Sequence, residues 1–339
     1  MLVFDKTGKP QQIGDELARG GEGAVYALAD KPSVVVKLYH SDLLTRRGNS
    51  LREKVDAMVG LRQHFDTTSL AWPALSVHNE HGVWLGYAMR HAAGVPLAKL
   101  AHPMLCHKYL PGLDRISVVR LLVAIIKTLG RLHGAGVYLG DINLNNFLYD
   151  HSTGAVMLID CDSYQISVED RLFPCFVGAA DMIPPEHHGK TLAQVRRTAE
   201  SDLFSLAILI FRCLMLGRHP YDFVGGGTVV ENLCGGRFPY GTGGSAPGRD
   251  GAIPAGPWYL IWSHLSFEIK SLLIRTLLNG AADPTVRARP SEWLIAFEKY
   301  AGGLEKGYHD ATLRPAQQKS AERKSSRPSH SSPAAQAGF

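Results

Sequence analysis

Short runs of β-branched and aromatic residues dominate the first hundred positions of the chain and predict a β-rich region. These runs cover residues 25–27, 34–38 and 83–89, and glycine, proline and asparagine residues bound them. Between residues 50 and 65 the apolar side chains recur instead at nearly helical spacing, which predicts one helix among the strands. The next stretch, residues 94–111, contains three prolines and is predicted to cross to a second part of the chain.

Helical periodicity dominates from residue 116 onward and predicts a mainly helical second region. The strongest pattern covers residues 117–136, where apolar positions recur at i, i+3 and i+4 and two glycines, Gly134 and Gly136, end the helix. A glycine-dense stretch, residues 225–257, is predicted to be a long loop that contains a short helix. Further helices are predicted at residues 201–216, 265–278 and 291–300, and short strands at residues 147–149 and 156–159.

The composition is that of an ordinary soluble globular protein. Of 339 residues, 45% are hydrophobic and 20% are charged, which excludes a collagen-like chain, a coiled coil and a wholly disordered chain. Five scattered cysteines without a Cys-x-x-Cys pair argue against a disulfide framework or a zinc ribbon, and favour a reducing compartment. The apolar runs are far shorter than the roughly 20 residues that span a bilayer, and no signal-peptide pattern opens the sequence, so the protein is predicted to be cytoplasmic.

The net charge of +5 lies mostly at the C-terminal end of the sequence. Residues 306–339 contain six lysine or arginine residues and two acidic residues, so they account for +4 and leave the rest of the chain nearly neutral. This segment has almost no bulky apolar side chains and is predicted to be disordered. We therefore expect no specific nucleic-acid partner, although the basic segment could touch an acidic surface non-specifically.

Two features of the predicted β-rich region could bind phosphate. Gly20, Gly21 and Gly23 leave backbone N–H groups accessible, although three glycines in four residues are also typical of a plain hairpin turn. Lys37 lies in an apolar strand, where a buried ammonium needs a partner, although a lysine at an edge strand can also reach solvent. Glu53, on the following predicted helix, is the candidate carboxylate partner of Lys37.

Two further features carry oxygen ligands at positions suited to metal-assisted chemistry. Asp141 is followed five residues later by Asn146, so the carboxylate could accept a hydroxyl proton while the carboxamide holds a metal. A surface turn rich in Asp and Asn is equally consistent with that spacing. Asp160 and Asp162 come after the apolar run 156–159 and offer hard oxygen ligands to Mg²⁺, although carboxylates at strand ends are common.

The order of these parts resembles that of a eukaryotic-type protein kinase domain over about residues 10–302. A glycine-rich loop, a strand lysine, a helix glutamate, Asp-x-x-x-x-Asn and a strand-terminal aspartate follow one another in that order. The resemblance implies an α+β, two-lobed protein-kinase-like fold. It implies a β-rich N-lobe at residues 1–92, a mainly helical C-lobe at residues 93–302 and a disordered, basic Ser/Pro-rich tail at residues 303–339.

The resemblance also implies a nucleotide site for ATP. Lys37 is expected to contact the α- and β-phosphates and to pair with Glu53. The catalytic residues implied are therefore Lys37, Glu53 and Asp141. Met89 lies near the gatekeeper position, and residues 90–92 lie near the hinge that binds adenine. The residues implied in nucleotide binding are Gly20, Gly21, Gly23, Val25, Lys37, Met89, Arg90 and Ala92.

For the chemical step, the resemblance implies a catalytic base and a Mg²⁺ site. Asp141 is the expected base, and Asn146 and Asp160 are the expected metal ligands. Asp160 is favoured over Asp162 because it directly follows the apolar strand, but Asp162 could share or take the role.

Downstream motifs both match and depart from the kinase pattern. The sequence Pro-Pro-Glu ending at Glu186 resembles the motif that closes a kinase activation segment, and Arg289 is expected to pair with it. Gly140 stands where kinases usually carry the arginine that binds an activation-loop phosphate, so activation by loop phosphorylation is not expected. Asn143 stands where a lysine usually steadies the transferred phosphate.

The function that the resemblance implies is transfer of the γ-phosphoryl group of ATP to Ser or Thr hydroxyls of a protein substrate, with Mg²⁺. The motifs also resemble a divergent bacterial subgroup whose members accompany von Willebrand-type and phosphatase proteins in stress and tellurite-resistance loci, and such proteins are the implied partners. No membrane partner is expected. Two alternatives stay open: a nucleotide-binding pseudokinase scaffold, which Asn143 favours, and a small-molecule phosphotransferase, which Glu186 and Arg289 disfavour.

Overall fold

A closed six-stranded β-barrel forms the N-terminal region of the protein. The computed structural model describes residues 1–241 and 258–314. The barrel strands are β1 (Leu2–Phe4), β2 (Pro10–Arg19), β3 (Gly23–Leu28), β4 (Val34–Tyr39), β5 (Leu75–His78) and β6 (Trp84–Arg90). They are joined in the order β1-β2-β3-β4-β6-β5, and a single antiparallel pair, Phe4 with His78, closes the barrel between β1 and β5.

Strand β4 is apolar on both faces because both faces are covered. Val36 belongs to the cluster that fills the barrel, whereas Val35 and Tyr39 belong to a second cluster that includes residues of helix α1 (Ser41–Leu61). Alternate residues of a strand point to the same side. Lys37, between Val35 and Tyr39, is therefore directed away from the barrel interior and toward the rest of the protein.

The C-terminal region is mainly helical. Helix α4 is buried on almost its whole circumference, as expected for a segment of sixteen residues that is hydrophobic on every face. The region contains α2 (Pro103–Tyr109), α3 (Arg115–Gly134), α4 (Ala199–Leu214), α5 (Val229–Cys234), α6 (Trp258–Ser263), α7 (Phe267–Leu277) and α8 (Pro290–Glu305). Helix α3 packs against α8, and α4 packs against α3 and α7.

Two small sheets are formed by strands that lie along the chain between β6 and α4. One has the strand order β7-β8-β9 and carries the turn that follows β9; the other is the hairpin β10-β11. Their strands are β7 (Val95–Pro96), β8 (Phe147–Asp150), β9 (Ala155–Leu158), β10 (Ile166–Val168) and β11 (Arg171–Phe173). In the part of the chain that the structure describes, no helix combines the length and the apolar character needed to cross a membrane.

The β-rich N-terminal region and the helical C-terminal region agree with the hydrophobic pattern of the sequence. The pattern did not predict that β1 closes the sheet into a barrel, nor the short strands β5, β7, β10 and β11. The predicted tail boundary at residue 303 falls inside α8, and the buried Arg115 side chain donates to the backbone oxygens of Thr312 and Leu313 beyond it. Residues 242–257 of the predicted glycine-dense loop and residues 315–339 of the predicted tail lie outside the described residues.

Candidate active site

Lys37 and Asp162 form a buried ion pair at the centre of the site. The Lys37 Nζ atom donates to both carboxylate oxygens of Asp162, at 3.0 and 2.8 Å, and the two side chains are 9% and 3% exposed. The Tyr39 hydroxyl donates to the same carboxylate at 2.6 Å. Two neighbours on one face of β4 thus hold a single carboxylate that comes from the turn after β9.

Each charge of this pair offsets the cost of burying the other. Burial alone lowers the pKa of Lys37, but the negative charges of Asp162 and Asp160 outweigh it and raise that pKa above its ordinary value. Burial likewise raises the pKa of Asp162, and Lys37 together with the hydroxyl of Tyr39 outweighs this effect and lowers it. Both groups are therefore charged at neutral pH.

Asp160 and Asp162 face different surroundings because the chain turns sharply between them. Asp160 has φ of +54°, in the left-handed region, and begins a short 3₁₀ turn, Cys161–Ser163. Its side chain is 56% exposed and its Oδ1 lies 3.7 Å from Lys37 Nζ. Partial burial and the carboxylates of Asp162 and Asp141 raise the pKa of Asp160, against the opposing charge of Lys37.

Glu53 does not pair with Lys37, contrary to the prediction. The buried face of α1 carries Leu51, Lys54 and Val55, and Glu53 lies one position outside this stripe. Its half-exposed carboxylate pairs with Arg171 of β11. The structure thus brings Lys37 together with Asp162 and separates it from the carboxylate that the kinase pattern supplies.

Lys54 occupies the inward position beside Glu53. Its ammonium donates to the backbone oxygen of Pro174 at 3.2 Å, and burial lowers the pKa of Lys54 to about 8. The apolar spacing of Leu51, Val55 and Met58 is the signal that places position 54, and not position 53, on the buried face of α1.

Asp141 and Asn146 lie together in the loop between α3 and β8. The Asn146 side-chain amide donates to the backbone oxygen of Asp141 at 2.9 Å and to its Oδ2 at 3.1 Å. The backbone N–H of Ile159 donates to the backbone oxygen of Asn146 at 3.0 Å, which ties this loop to the chain just after β9. Asp141, Asn146 and Asp160 are thereby held in one neighbourhood.

A buried carboxylate from α4 fixes the start of this loop. Asp202, which is 1% exposed, accepts from the backbone N–H groups of Leu139 at 2.7 Å and Gly140 at 2.9 Å, and pairs with His133 at 3.0 Å. Gly140 has φ of +70°, and a Cβ there would lie 2.8 Å from the Sγ of Cys175. Glycine is therefore needed at this position for backbone and packing reasons, which accounts for the missing arginine.

The glycine-rich loop is the turn between β2 and β3. Gly20 and Gly21 are exposed and have open space around them, whereas a Cβ at Gly23 would lie 2.3 Å from the backbone oxygen of Leu38. The side chain of His40 makes a hydrogen bond to the backbone oxygen of Gly20 at 3.0 Å. The protein fold thus requires a glycine at position 23. The Gly20 N–H donates to the backbone oxygen of Gly23 at 2.9 Å, so the open part of the loop is at Gly21.

The residues expected around adenine lie near one another in the cluster beside α1. Met89 is buried there, and Val25, Ala92 and Ile159 pack against the same cluster while keeping part of their surface exposed. Arg90, at the end of β6, is exposed. These apolar side chains could form the walls of a slot for a flat ring.

Glu186 pairs with Arg287 and not with Arg289, so the sequence assignment of this ion pair was wrong by two residues. The Arg287 guanidinium, which is fully buried, donates to both carboxylate oxygens of Glu186 at 2.7 and 2.8 Å. Burial raises the pKa of Glu186, but the charge and hydrogen bonds of Arg287 outweigh it and lower that pKa. Arg289 instead precedes α8, where its backbone N–H donates to Glu292.

Sequence reasoning missed a buried arginine that holds the segment between β11 and α4. Arg197 is 1% exposed, donates to the backbone oxygen of Val177 at 2.9 Å and bonds the Nδ1 of His187 at 2.8 Å. The side chain of Gln165 bonds both the N–H and the backbone oxygen of Arg197. No motif marks these positions, so only the tertiary structure could identify them.

The oxygen donors in this neighbourhood suit a magnesium ion bound together with nucleotide phosphates. Mg²⁺ in such sites takes one or two carboxylates, and phosphates and water complete its coordination. The exposed carboxylate of Asp160, with its raised pKa, is the donor that a cation would stabilise most directly. Within residues 1–241 and 258–314 no group of three or more His, Cys, Asp or Glu side chains could hold a metal by itself.

A buried strand lysine, an Asp–Asn loop and an exposed aspartate after a strand together resemble the phosphotransfer site of protein kinases. Comparison with known proteins supports that class. The chain is 27% identical over 312 residues to Protein kinase YegI of Escherichia coli strain K12, an alignment that covers 90% of this chain and 47% of that protein. The Protein kinase YegI of Escherichia coli O157:H7 matches to the same extent.

The chain spans about half the length of the curated relatives it matches. No protein-family model matches the sequence. The similarity supports a phosphotransferase related to a divergent bacterial protein kinase.

Proposed function

We propose that this protein is an ATP- and Mg²⁺-dependent protein kinase that transfers the γ-phosphoryl group to Ser or Thr hydroxyls of a protein substrate. In this proposal the β-rich and the helical regions form two lobes, and ATP binds where they meet. The observation that carries the proposal is the convergence of the Lys37 ammonium, the Asp141–Asn146 pair and the Asp160 carboxylate from three separate parts of the chain.

Lys37 and the loop of Gly20, Gly21 and Gly23 bind the phosphates in this mechanism. The ammonium neutralises phosphate oxygens, and the backbone N–H of Gly21, where the loop is open, donates to them. The apolar side chains of Val25, Met89 and Ala92, with the adjacent Arg90, receive the adenine ring. Binding in this way orients the terminal phosphate before any bond is made or broken.

Asp141 orients the acceptor hydroxyl and receives its proton. The hydrogen bond from Asn146 fixes the rotamer of the Asp141 carboxylate, so one of its oxygens stays available to the hydroxyl. Mg²⁺, held by Asp160 and the carboxamide oxygen of Asn146, would neutralise charge on the phosphates when bound. Because phosphoryl transfer needs little covalent chemistry from the protein, positioning and electrostatics supply most of the rate enhancement.

The buried Glu186–Arg287 ion pair favours a protein substrate over a small molecule. It fastens the end of the segment that follows β11 to the helical region, and in protein kinases the corresponding segment forms the platform for a peptide. The association with von Willebrand-type and phosphatase proteins stays a prediction from the resemblance.

The first experiment measures phosphate transfer from γ-labelled ATP with Mg²⁺ to a generic protein and to the chain itself. We expect the wild type to transfer label, Asp141→Asn to lower kcat by about 10²–10⁴-fold as for loss of a general base, and Lys37→Ala to bind ATP measurably but more weakly. Mapping the label by mass spectrometry identifies the acceptor side chain.

The control is Asp66→Asn, which alters an exposed ion pair with Arg131 that includes none of these residues. Label on tyrosine or on small molecules only would contradict the substrate class. Binding of ATP by the wild type without any transfer would contradict catalysis and leave the pseudokinase alternative.

A further inference from the structure

We propose that Asp162 is the positioning residue for Lys37, and that it replaces the helix glutamate in this task. The inference rests on the proposed function, in which Lys37 binds the phosphates of ATP. It assigns to Asp162 a role different from metal binding, and it removes Glu53 from the set of groups that act on the nucleotide.

The contacts of Asp162 leave its carboxylate little freedom. Both oxygens accept from Lys37 Nζ, and Oδ2 also accepts from the Tyr39 hydroxyl. The carboxylate is 3% exposed, and Tyr39 is 5% exposed. Charge-assisted bonds of this kind are short and strong in a desolvated site, so the Lys37 side chain is held in one direction before a ligand arrives.

The number of N–H donors on the Lys37 ammonium supports a phosphate contact as well. A lysine ammonium has three N–H donors, and Asp162 engages it through two oxygens. Asp160 contributes charge at 3.7 Å without a hydrogen bond. One donor of Lys37 therefore stays available for a phosphate oxygen on the side where Asp160 is exposed.

The position of Glu53 in this structure excludes it as the residue that positions Lys37. It lies on the exposed side of α1 and pairs with Arg171 of the β10-β11 hairpin, while the inward position is taken by Lys54. Helix α1 packs against the turn Cys161–Ser163 that carries Asp162. The carboxylate for Lys37 thus comes from the turn beneath the helix and not from the helix itself.

In this proposal the two aspartates of the turn, Asp160 and Asp162, have different roles. Asp160 is exposed and available to a cation, whereas Asp162 is enclosed by Lys37 and Tyr39. The left-handed backbone at Asp160 sends these two side chains to different places, although only one residue separates them.

The experiment compares Asp162→Asn with the wild type in nucleotide binding without metal, in nucleotide binding with Mg²⁺, and in steady-state kinetics. The substitution keeps the shape of the side chain and removes its charge. We expect metal-free ATP to bind about tenfold more weakly, as for loss of a charge-assisted contact, and KM for ATP to rise more than kcat falls. The Mg²⁺ concentration at half-maximal activity stays unchanged.

Glu53→Gln is the comparison and Asp66→Asn is the matched control for an exposed aspartate. We expect Glu53→Gln to weaken metal-free ATP binding several-fold less than Asp162→Asn does. A larger loss in Glu53→Gln, or a shift of the Mg²⁺ midpoint in Asp162→Asn with normal metal-free binding, would overturn the inference.

A double-mutant cycle with Lys37→Met covers the case in which Asp162→Asn folds poorly. If Asp162 acts through Lys37, then adding Asp162→Asn to the Lys37→Met variant does not weaken ATP binding further. The double variant is also expected to melt at a higher temperature than at least one of the single variants. Additive losses would overturn the inference. ATP binding by the wild type without transfer would overturn the proposed function alone, whereas absence of ATP binding by the wild type would overturn both.

Discussion

At the residue scale, the ion pairs Lys37–Asp162 and Arg287–Glu186 join segments that are distant along the chain. Asp160 and Asp162 are two residues apart, and the chain turns with a left-handed φ at Asp160, so that Asp162 accepts from Lys37 while Asp160 stays exposed at 3.7 Å. Arg287 and Arg289 are a similar pair, and only Arg287 reaches Glu186. Motif spacing predicts the type of partner in such cases, but the backbone conformation selects the individual residue.

Asp202→Asn tests how strongly one buried carboxylate holds the loop of Asp141. Both oxygens of Asp202 accept backbone N–H groups, so an asparagine amide would direct its own N–H groups at one of those donors. We expect the free energy of unfolding to fall by about 3–5 kcal/mol, as for the loss of one partner in a buried charged network. Urea unfolding followed by circular dichroism measures this change, and a loss below about 1 kcal/mol, the range of an exposed ion pair, would contradict it.

At the element scale, the long helices of the C-terminal region were predictable, whereas several strands and the first nine residues of α1 were not. The apolar repeats of α3, α4, α7 and α8 predicted these helices to within a few residues at most ends, because each buries a continuous face. Strands of two to four residues, such as β7 and β10, have too few positions for a period to emerge. Their existence depends on pairing with neighbours that are distant in sequence.

The segment between β11 and α4 is fastened by buried side chains. Arg197 links Val177 and His187 in the structure, and the position of the usual phosphate-binding arginine is the glycine Gly140. This arrangement supports the expectation that loop phosphorylation does not switch the protein on.

His187 should make this segment sensitive to acid. Burial, with the charge of Arg197 adding to it, lowers the pKa of His187 to about 4, below its ordinary value of 6.5. Since the unfolded chain binds a proton at higher pH than the folded chain does, stability is full above about pH 6.5 and falls as the pH drops toward 4.

We expect the stability of His187→Gln to fall less between pH 7 and pH 5 than the stability of the wild type. Urea unfolding at the two pH values measures this difference. Buried His219, whose pKa burial also lowers to about 4, contributes in both proteins and therefore cancels in the comparison. An identical decline in the variant and the wild type would contradict the role of His187.

At the scale of the whole molecule, the large hydrophobic core crosses the domain boundary that the resemblance implied at residue 92. Met58, Leu70 and Trp72 belong to the same cluster as the buried faces of the C-terminal helices. The Trp72 indole N–H donates to the backbone oxygen of Met58 at 2.8 Å, and its ring packs edge-on against Phe65. Sequence pattern alone could not assign these residues, because it shows that a face is apolar without showing what covers it.

Trp72→Ala should therefore destabilise both regions together. Truncation of a buried tryptophan costs about 3–5 kcal/mol, and we expect one unfolding transition to move to lower urea concentration. Circular dichroism and the fluorescence of the remaining tryptophans would report coincident curves. Two separate transitions, of which only one moves, would instead show that the regions unfold independently.

The closure of the barrel has a consequence for how the N-terminal region can meet other proteins. A sheet with free outer strands offers unpaired N–H and C=O groups on which a foreign strand can dock or on which copies can aggregate. Here β1 covers part of both margins, pairing with β2 along three residues and with β5 through Phe4 and His78. Docking of a foreign strand on this barrel is thus restricted to the residues of β2 and β5 that β1 does not pair, and recognition elsewhere on it must use side chains.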